Sequence, residues 1–148
     1  MSHELTPPLA QARLQADPAL TLVDIRTVGE FAQGRPFGHV INVPVAFAHP
    51  TTGERIPNKD FAHIVRTVLG EVGSVLVSGT DDSRSAEAAR LLEDAGMTDV
   101  GIVIGGMDAW RAGLLSTTRD NRDGVSYVSL LMKVRRPDAK PKAAHAAH

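Results

Sequence analysis

Four short apolar runs constrain this chain more than any other feature. They are Thr21-Leu22-Val23, Val40-Ile41, Ser74-Val75-Leu76-Val77 and Val100-Gly101-Ile102-Val103-Ile104. Each is apolar without alternation, the pattern of a strand buried on both faces, as in a parallel sheet. Parallel neighbours cannot be joined by a tight turn, so each pair needs a crossover, usually a helix. Helical patterns lie where crossovers are required. Residues 8–16 carry Leu9 and Leu14 and begin on a proline suited to a first turn. Val28–Gln33 follows Thr27, with Glu30 at the spacing of a capping box. Phe61–Leu69 places Phe61, Ile64, Val65 and Val68 on one face and ends before Gly70. Residues 83–95 place Ala88, Leu91, Leu92 and Ala95 inward, with Gly96 as the stop, and residues 107–112 end at Gly113. This alternation predicts a single α/β domain of three layers, a largely parallel central sheet flanked by helices. A chain of 148 residues with 43% hydrophobic content can bury one such core. Ligands of such sheets bind beyond the carboxyl ends of the strands, which directs attention to the loops after Val23, Val77 and Ile104.

Composition removes several classes of function. No apolar run approaches the length of a membrane-spanning helix. The start, Met1-Ser2-His3-Glu4, lacks a basic region followed by an apolar stretch, so no secretory signal and a cytoplasmic location are expected. A net charge of −1 argues against a general nucleic-acid binder. There is no cysteine, which excludes disulfides, thiolate metal sites and any cysteine nucleophile. Of the six histidines, His3, His145 and His148 lie in termini read as mobile; His39, His49 and His63 lack ligand spacing, so no metal is expected. No phosphate-binding Gly-rich pattern occurs, and no cofactor is expected. Charge is uneven: five basic residues against one acidic make residues 133–148 a +4 tail, leaving −5 on the first 132. The domain is therefore placed at 1–132, with a core at about 6–115 and an extension over 116–132. The tail reads as disordered, either solubilising or a basic arm for a partner. Ser126, Tyr127, Leu130 and Leu131 suggest that the extension packs back on the domain or forms a pairing surface for a homodimer.

The richest segment joins the third run to the next helix: Val77-Ser78-Gly79-Thr80-Asp81-Asp82-Ser83-Arg84-Ser85. Backbone N–H groups at a helix start converge on such a loop and favour an anion there. Arg84-Ser85 followed by Glu87-Ala88-Ala89, Leu91-Leu92 and Ala95-Gly96 resembles the active-site loop and helix of the rhodanese (sulfurtransferase-homology) domains. Three further stretches resemble that family in order and spacing. They are Asp24-Ile25-Arg26 with Glu30-Phe31, Gly38-His39-Val40-Ile41-Asn42-Val43-Pro44, and Gly105-Gly106-Met107-Asp108-Ala109-Trp110. In the second, His39 matches either the motif histidine or a small residue of the family pattern.

The resemblance implies a chemistry that this chain cannot perform as written. In the family a cysteine five residues before the arginine takes a sulfane sulfur, holds it as a persulfide and passes it on. Five residues before Arg84 stands Gly79. Ser78 and Thr80 flank it, but a hydroxyl is far harder to ionise than a thiol and no base is evident beside them. Both read as hydroxyls bonded to nearby backbone. Asp81 and Asp82 place two carboxylates where the family favours neutral or basic residues, and they would repel an anionic donor. They read as turn formers, with Ser83 or Asp82 as helix N-cap, or as groups that recognise a cationic partner. Arg84 either organises the loop through its carbonyls, as the resemblance implies, or is a solvated residue at a helix start. Asp24, Arg26 and Glu30 read as a polar cluster beside the loop, modest in energy if exposed. Trp110 reads as a core or interface anchor.

Two functions follow. The first is a rhodanese-like domain without transferase activity of its own, a binding or regulatory module that meets a protein partner or small ligand through residues 78–84. The second is a thiosulfate-type sulfurtransferase whose nucleophile is replaced by Gly79. Hydrolytic chemistry on Asp81 or Asp82 lacks an accompanying base or metal set.

Overall fold

A computed structural model describes residues 2–135, so most of the basic tail and the disorder expected of it lie outside the described residues. The first half of the chain forms β1 (Ser2–Leu5), α1 (Pro7–Ala16), β2 (Leu22–Asp24), α2 (Val28–Gln33), β3 (Arg35–Pro36), β4 (Val40–Asn42), β5 (Ala46–Ala48) and β6 (Arg55–Pro57). The second half forms α3 (Phe61–Leu69), β7 (Ser74–Ser78), α4 (Asp82–Asp94), β8 (Asp99–Val103), α5 (Gly106–Ala112), β9 (Thr117–Thr118) and α6 (Tyr127–Val134).

Five strands make the central sheet in the order β1-β8-β7-β2-β4, and every neighbouring pair is parallel. The continuous apolar runs have a simple cause. Successive side chains on a strand point to opposite faces, so Leu22 and Leu76 feed one core while Val23 and Val77 feed the other. The Leu22 core also holds Leu14, Phe31, Val103 and Trp110. The Val23 core takes Phe61 and Ile64 from α3, Leu92 from α4 and Leu130 from α6. These are the three layers expected. Two antiparallel ribbons, β3–β9 and β5–β6, flank the sheet.

Two expectations need correction. Ser2–Leu5, ahead of the expected core, forms the edge strand beside β8, paired from Ser2 with Val100 to Leu5 with Val103. His3 is consequently not in a loose terminus: its Nδ1 lies 3.3 Å from Asp99 Oδ1, and its Nε2 lies 3.3 Å from Arg13 Nη1. Helix α6 continues through Val134, past the boundary expected at 132. Of the two readings of the extension, its inner residues pack back on the domain. Tyr127 and Leu130 are buried, and the Tyr127 ring lies 6.1 Å from that of Phe47. Trp110 is a core anchor, 1% exposed, and its indole N–H donates to the Ser116 carbonyl. Among the described residues no helix is long and apolar enough to cross a membrane.

Candidate functional site

The carboxyl ends of β2 and β7 lie side by side, with Asp24 paired to Ser78 in register. This juxtaposition brings the Asp24–Glu30 segment against the loop leading into α4. Ser78 is buried at the end of β7, and its carbonyl accepts from the Ile25 N–H at 2.9 Å. Thr80 is exposed and donates from its hydroxyl to Glu30 Oε2 at 3.4 Å.

Asp81, rather than Ser83 or Asp82, caps α4. Its Oδ1 accepts from the Arg84 N–H at 2.9 Å and from the Ser83 hydroxyl at 2.7 Å. These bonds hold the Asp81 carboxyl below the usual carboxylate range, the Ser83 hydroxyl contributing most. Asp82 occupies the first turn, where a carboxylate complements the helix dipole. It also reaches across to the loop after β8, its Oδ1 accepting from the Gly105 N–H at 3.0 Å. Each carboxylate of the pair thus takes a backbone N–H, so the anion that the loop favours comes from the chain itself.

The Arg84 side chain is 46% exposed, with Nε 3.8 Å from Asp81 Oδ2. Among the described residues its guanidinium makes no hydrogen bond to a loop carbonyl, so the organising role implied by the resemblance gives way to the solvated one. The free N–H groups at the helix start need an acceptor, which the Asp81 carboxylate supplies.

Asp24, Arg26 and Glu30 are brought together, but not as an exposed ion-pair cluster. Arg26 donates through Nε and Nη2 to both Asp24 oxygens, at 2.8 Å on the shorter side, with side chains 6% and 1% exposed. Nη2 also donates to the Gly34 carbonyl at 2.8 Å, tying β2 to the end of α2. Burial pushes the Asp24 carboxyl up, against the pull of the Arg26 guanidinium. The Glu30 carboxylate is engaged elsewhere, completing the capping box with Thr27. Only the main-chain carbonyl of Glu30 meets Arg26. Asn42 joins the group from β4, its amide donating to the carbonyls of Asp24 and Arg26 at 3.0 Å each.

Gly79 meets Gly106, a contact for which the adjacent glycines at 105 and 106 are the only sequence signal. A Cβ built on Gly106 would stand 1.9 Å from the Gly79 carbonyl oxygen, so the two backbones touch. Between the Arg26 and Arg84 sides lies a cleft of about 40 Å³, lined by Ile25, Arg26, Thr27, Glu30, Thr80 and Arg84 among others. Pockets that enclose a drug-sized ligand measure about 300–1,000 Å³, so this cleft admits at most a small group. Among the described residues no set of three His, Asp or Glu side chains could hold a metal ion.

The cap makes a direct prediction. Asp81→Ala removes the acceptor for two donors and lowers stability by about 1 kcal/mol, whereas Asp81→Asn retains most of the cap. Because the folded-state carboxyl is held low, its contribution is complete above the ordinary carboxylate range and disappears as pH falls through the lowered value. Urea melts of the wild type and Asp81→Asn at descending pH should therefore converge; parallel curves would rule out a charge-dependent cap.

Comparison with known proteins agrees with this architecture. Residues 6–113 match the family described as "Rhodanese-like domain". The chain is 34% identical over 95 residues to thiosulfate sulfurtransferase 16, chloroplastic, of Arabidopsis thaliana, covering 64% of this chain and 77% of that protein. Among solved structures, the Alr3790 protein from Anabaena sp. is similar with a TM-score of 0.66 at 21% identity, covering 97% of this chain and all of that one. Rv0390 from M. tuberculosis is similar with a TM-score of 0.64 at 22% identity, covering 81% of this chain and 98% of that one. The structures share the fold, and the family match spans β2, β4, β7 and β8 of the sheet, the β7–α4 loop and the Gly105–Gly106 turn. The chain belongs to the rhodanese-like domain family and is related to the thiosulfate sulfurtransferases.

Proposed function

We propose that this chain is a rhodanese-like domain without sulfurtransferase activity, working as a binding or regulatory module through residues 78–84. The observation that carries the reading is position 79, where the family's nucleophile would stand and where this chain has a glycine in a sequence without cysteine. Persulfide chemistry needs a thiolate, and the neighbouring Ser78 hydroxyl is buried at the end of a strand. The loop's occupant in this reading is a protein segment or small ligand that carries positive charge, because Asp81 and Thr80 are exposed on its rim and Asp82 adjoins them. The reading includes no nucleic-acid or membrane partner and takes the module to work in the cytoplasm. A homodimer through the outer face of α6 is compatible with it, since Val128 and Met132 are 55% and 68% exposed there.

The test is sulfur transfer from thiosulfate to cyanide by the purified chain. Thiocyanate should form no faster than in protein-free buffer. Turnover that scales with protein concentration would overturn the reading. A second reading, a sulfurtransferase with its nucleophile replaced, draws on the similarity to the Arabidopsis enzyme. It predicts that Gly79→Cys alone creates transfer activity and a thiol of low pKa.

A further inference from the structure

A second recess lies at the opposite end of the sheet from the β7–α4 loop. Thr21, His39 and Val72 line it and precede β2, β4 and β7, so it sits at the amino ends of three parallel strands. Ligands of such sheets usually bind at the carboxyl ends, so the fold alone does not assign this place. The recess opens between the end of α3 and α6, which packs on α3. Its volume is about 250 Å³, against about 40 Å³ for the cleft beside Arg84. Its apolar lining is Ile41, Val68, Leu69, Val72 and Leu130. Ile41 and Leu130 are buried in the Val23 core, but Val68, Leu69 and Val72 are only half-buried. Three neighbouring apolar side chains thus remain partly in water, and an aliphatic chain laid over them would be driven in by the surface it removes from solvent.

The charge on the rim has one sign. Lys133 lines the recess from α6, and among the described residues its ammonium has no hydrogen-bond or ion-pair partner. His39 lines it from the strand ends. The His39 Nδ1 lies 3.3 Å from the Leu20 carbonyl oxygen and 3.5 Å from Thr21 Oγ1. In the imidazolium form Nδ1 therefore donates within the chain, and the Nε2 N–H is left to meet an anion. No carboxylate lines the recess. Asp123 lines an adjoining one, which shares Gly124 and Lys133 with it. We propose that the recess between α3 and α6 binds a free aliphatic monocarboxylate of medium length, its chain on Val68, Leu69 and Val72 and its carboxylate between Lys133 and His39. The apolar lining selects the chain, and the two nitrogen-bearing side chains select the charge. The site is separate from residues 78–84, and the proposal stands whether or not that loop transfers sulfur.

The experiment titrates the full chain with octanoate, butanoate and octanol and follows methyl signals by NMR. Octanoate should shift the methyls of Ile41, Val68, Leu69, Val72 and Leu130 in a saturable way and leave those of Ile25 and Val45, beside the β7–α4 loop, in place. It should bind at least about tenfold more tightly than butanoate, because each further methylene is buried. It should also bind at least about fivefold more tightly than octanol, which has the chain without the charge. Lys133→Met keeps most of the apolar stem and loses the ammonium. It should weaken octanoate at least about fivefold and leave octanol unchanged, and His39→Leu should act in the same direction. Octanol that binds as tightly as octanoate, an unchanged octanoate affinity in Lys133→Met, or shifts confined to the Ile25 side would each overturn the proposal. So would methyls of the recess that shift with protein concentration alone and no longer respond to octanoate, a result that would assign the recess to a second copy of the chain.

Discussion

Arg26→Met should destabilise the domain by about 3–5 kcal/mol, the cost of leaving one member of a buried ion pair alone. The side chain lost is not a surface arginine. Its Nε and Nη2 serve both oxygens of an Asp24 carboxylate that is 1% exposed, and Nη2 also holds the Gly34 carbonyl. Removing it strands a charge beside the Ser78 end of β7 and frees the end of α2. For a domain of this size the loss corresponds to a fall in Tm of roughly 10 °C. The pH dependence carries the mechanism. Burial already raises the Asp24 carboxyl against the pull of Arg26, and without the guanidinium that pull is gone. A carboxyl raised in the folded state keeps its proton longer than in the unfolded chain. The penalty is therefore small below the ordinary carboxylate range and grows as pH rises through the raised value. The stability difference between wild type and Arg26→Met should be smallest in acid and full at neutral pH, and Asp24→Asn in the same chain should recover part of it. A difference that stays constant with pH would show that lost packing, rather than the uncompensated charge, sets the cost.

The sequence made this pair visible but not its burial. Asp24 and Arg26 stand two apart at a strand end, a spacing equally consistent with a solvated pair. What buries them is the return of the chain through Gly34 and the arrival of Asn42 from β4, neither of which is a local property. Elements with a strong local signal were legible to the residue, as with Val28–Gln33 and its capping box, or Phe61–Leu69. The strands β2, β4, β7 and β8 were legible because two cores demand apolar residues at successive positions. β1 was not, because Ser2–Leu5 has one buried residue and becomes a strand only by pairing with β8. The start of α4 offered three residues able to cap in succession, Asp81, Asp82 and Ser83. The choice among them follows a tertiary contact: Asp82 reaches the Gly105 N–H, which leaves Asp81 as the cap. Arg84 shows the opposite limit, a residue that fits a family pattern while its side chain stands in solvent beside Asp81.

Gly106→Ala should be as damaging as the loss of Arg26, although it adds a single methyl group. Two costs act together at this position. Gly106 has φ 56°, in the left-handed region where a Cβ costs about 1–2 kcal/mol. The same Cβ would lie 1.9 Å from the Gly79 carbonyl oxygen, well inside contact distance. The oxygen belongs to backbone, so relief requires the loop or the start of α5 to shift, and forced overpacking of this kind costs about 1–3 kcal/mol. A combined loss of about 3 kcal/mol is expected by urea unfolding. Gly29→Ala is the control, because a Cβ there meets nothing within 4 Å and the residue shows no positive φ. The two variants separate a conformational requirement at one glycine from a general sensitivity to replacing glycine. Gly106→Ala has a further consequence that Arg26→Met lacks. Displacing the Gly79 peptide should open the contact between Asp82 and the Gly105 N–H, so amide exchange at Gly105 should accelerate even under conditions where the variant remains folded. Unchanged exchange at Gly105 in a destabilised variant would mean that the β7–α4 loop and the Gly105–Gly106 turn are adjacent without being coupled.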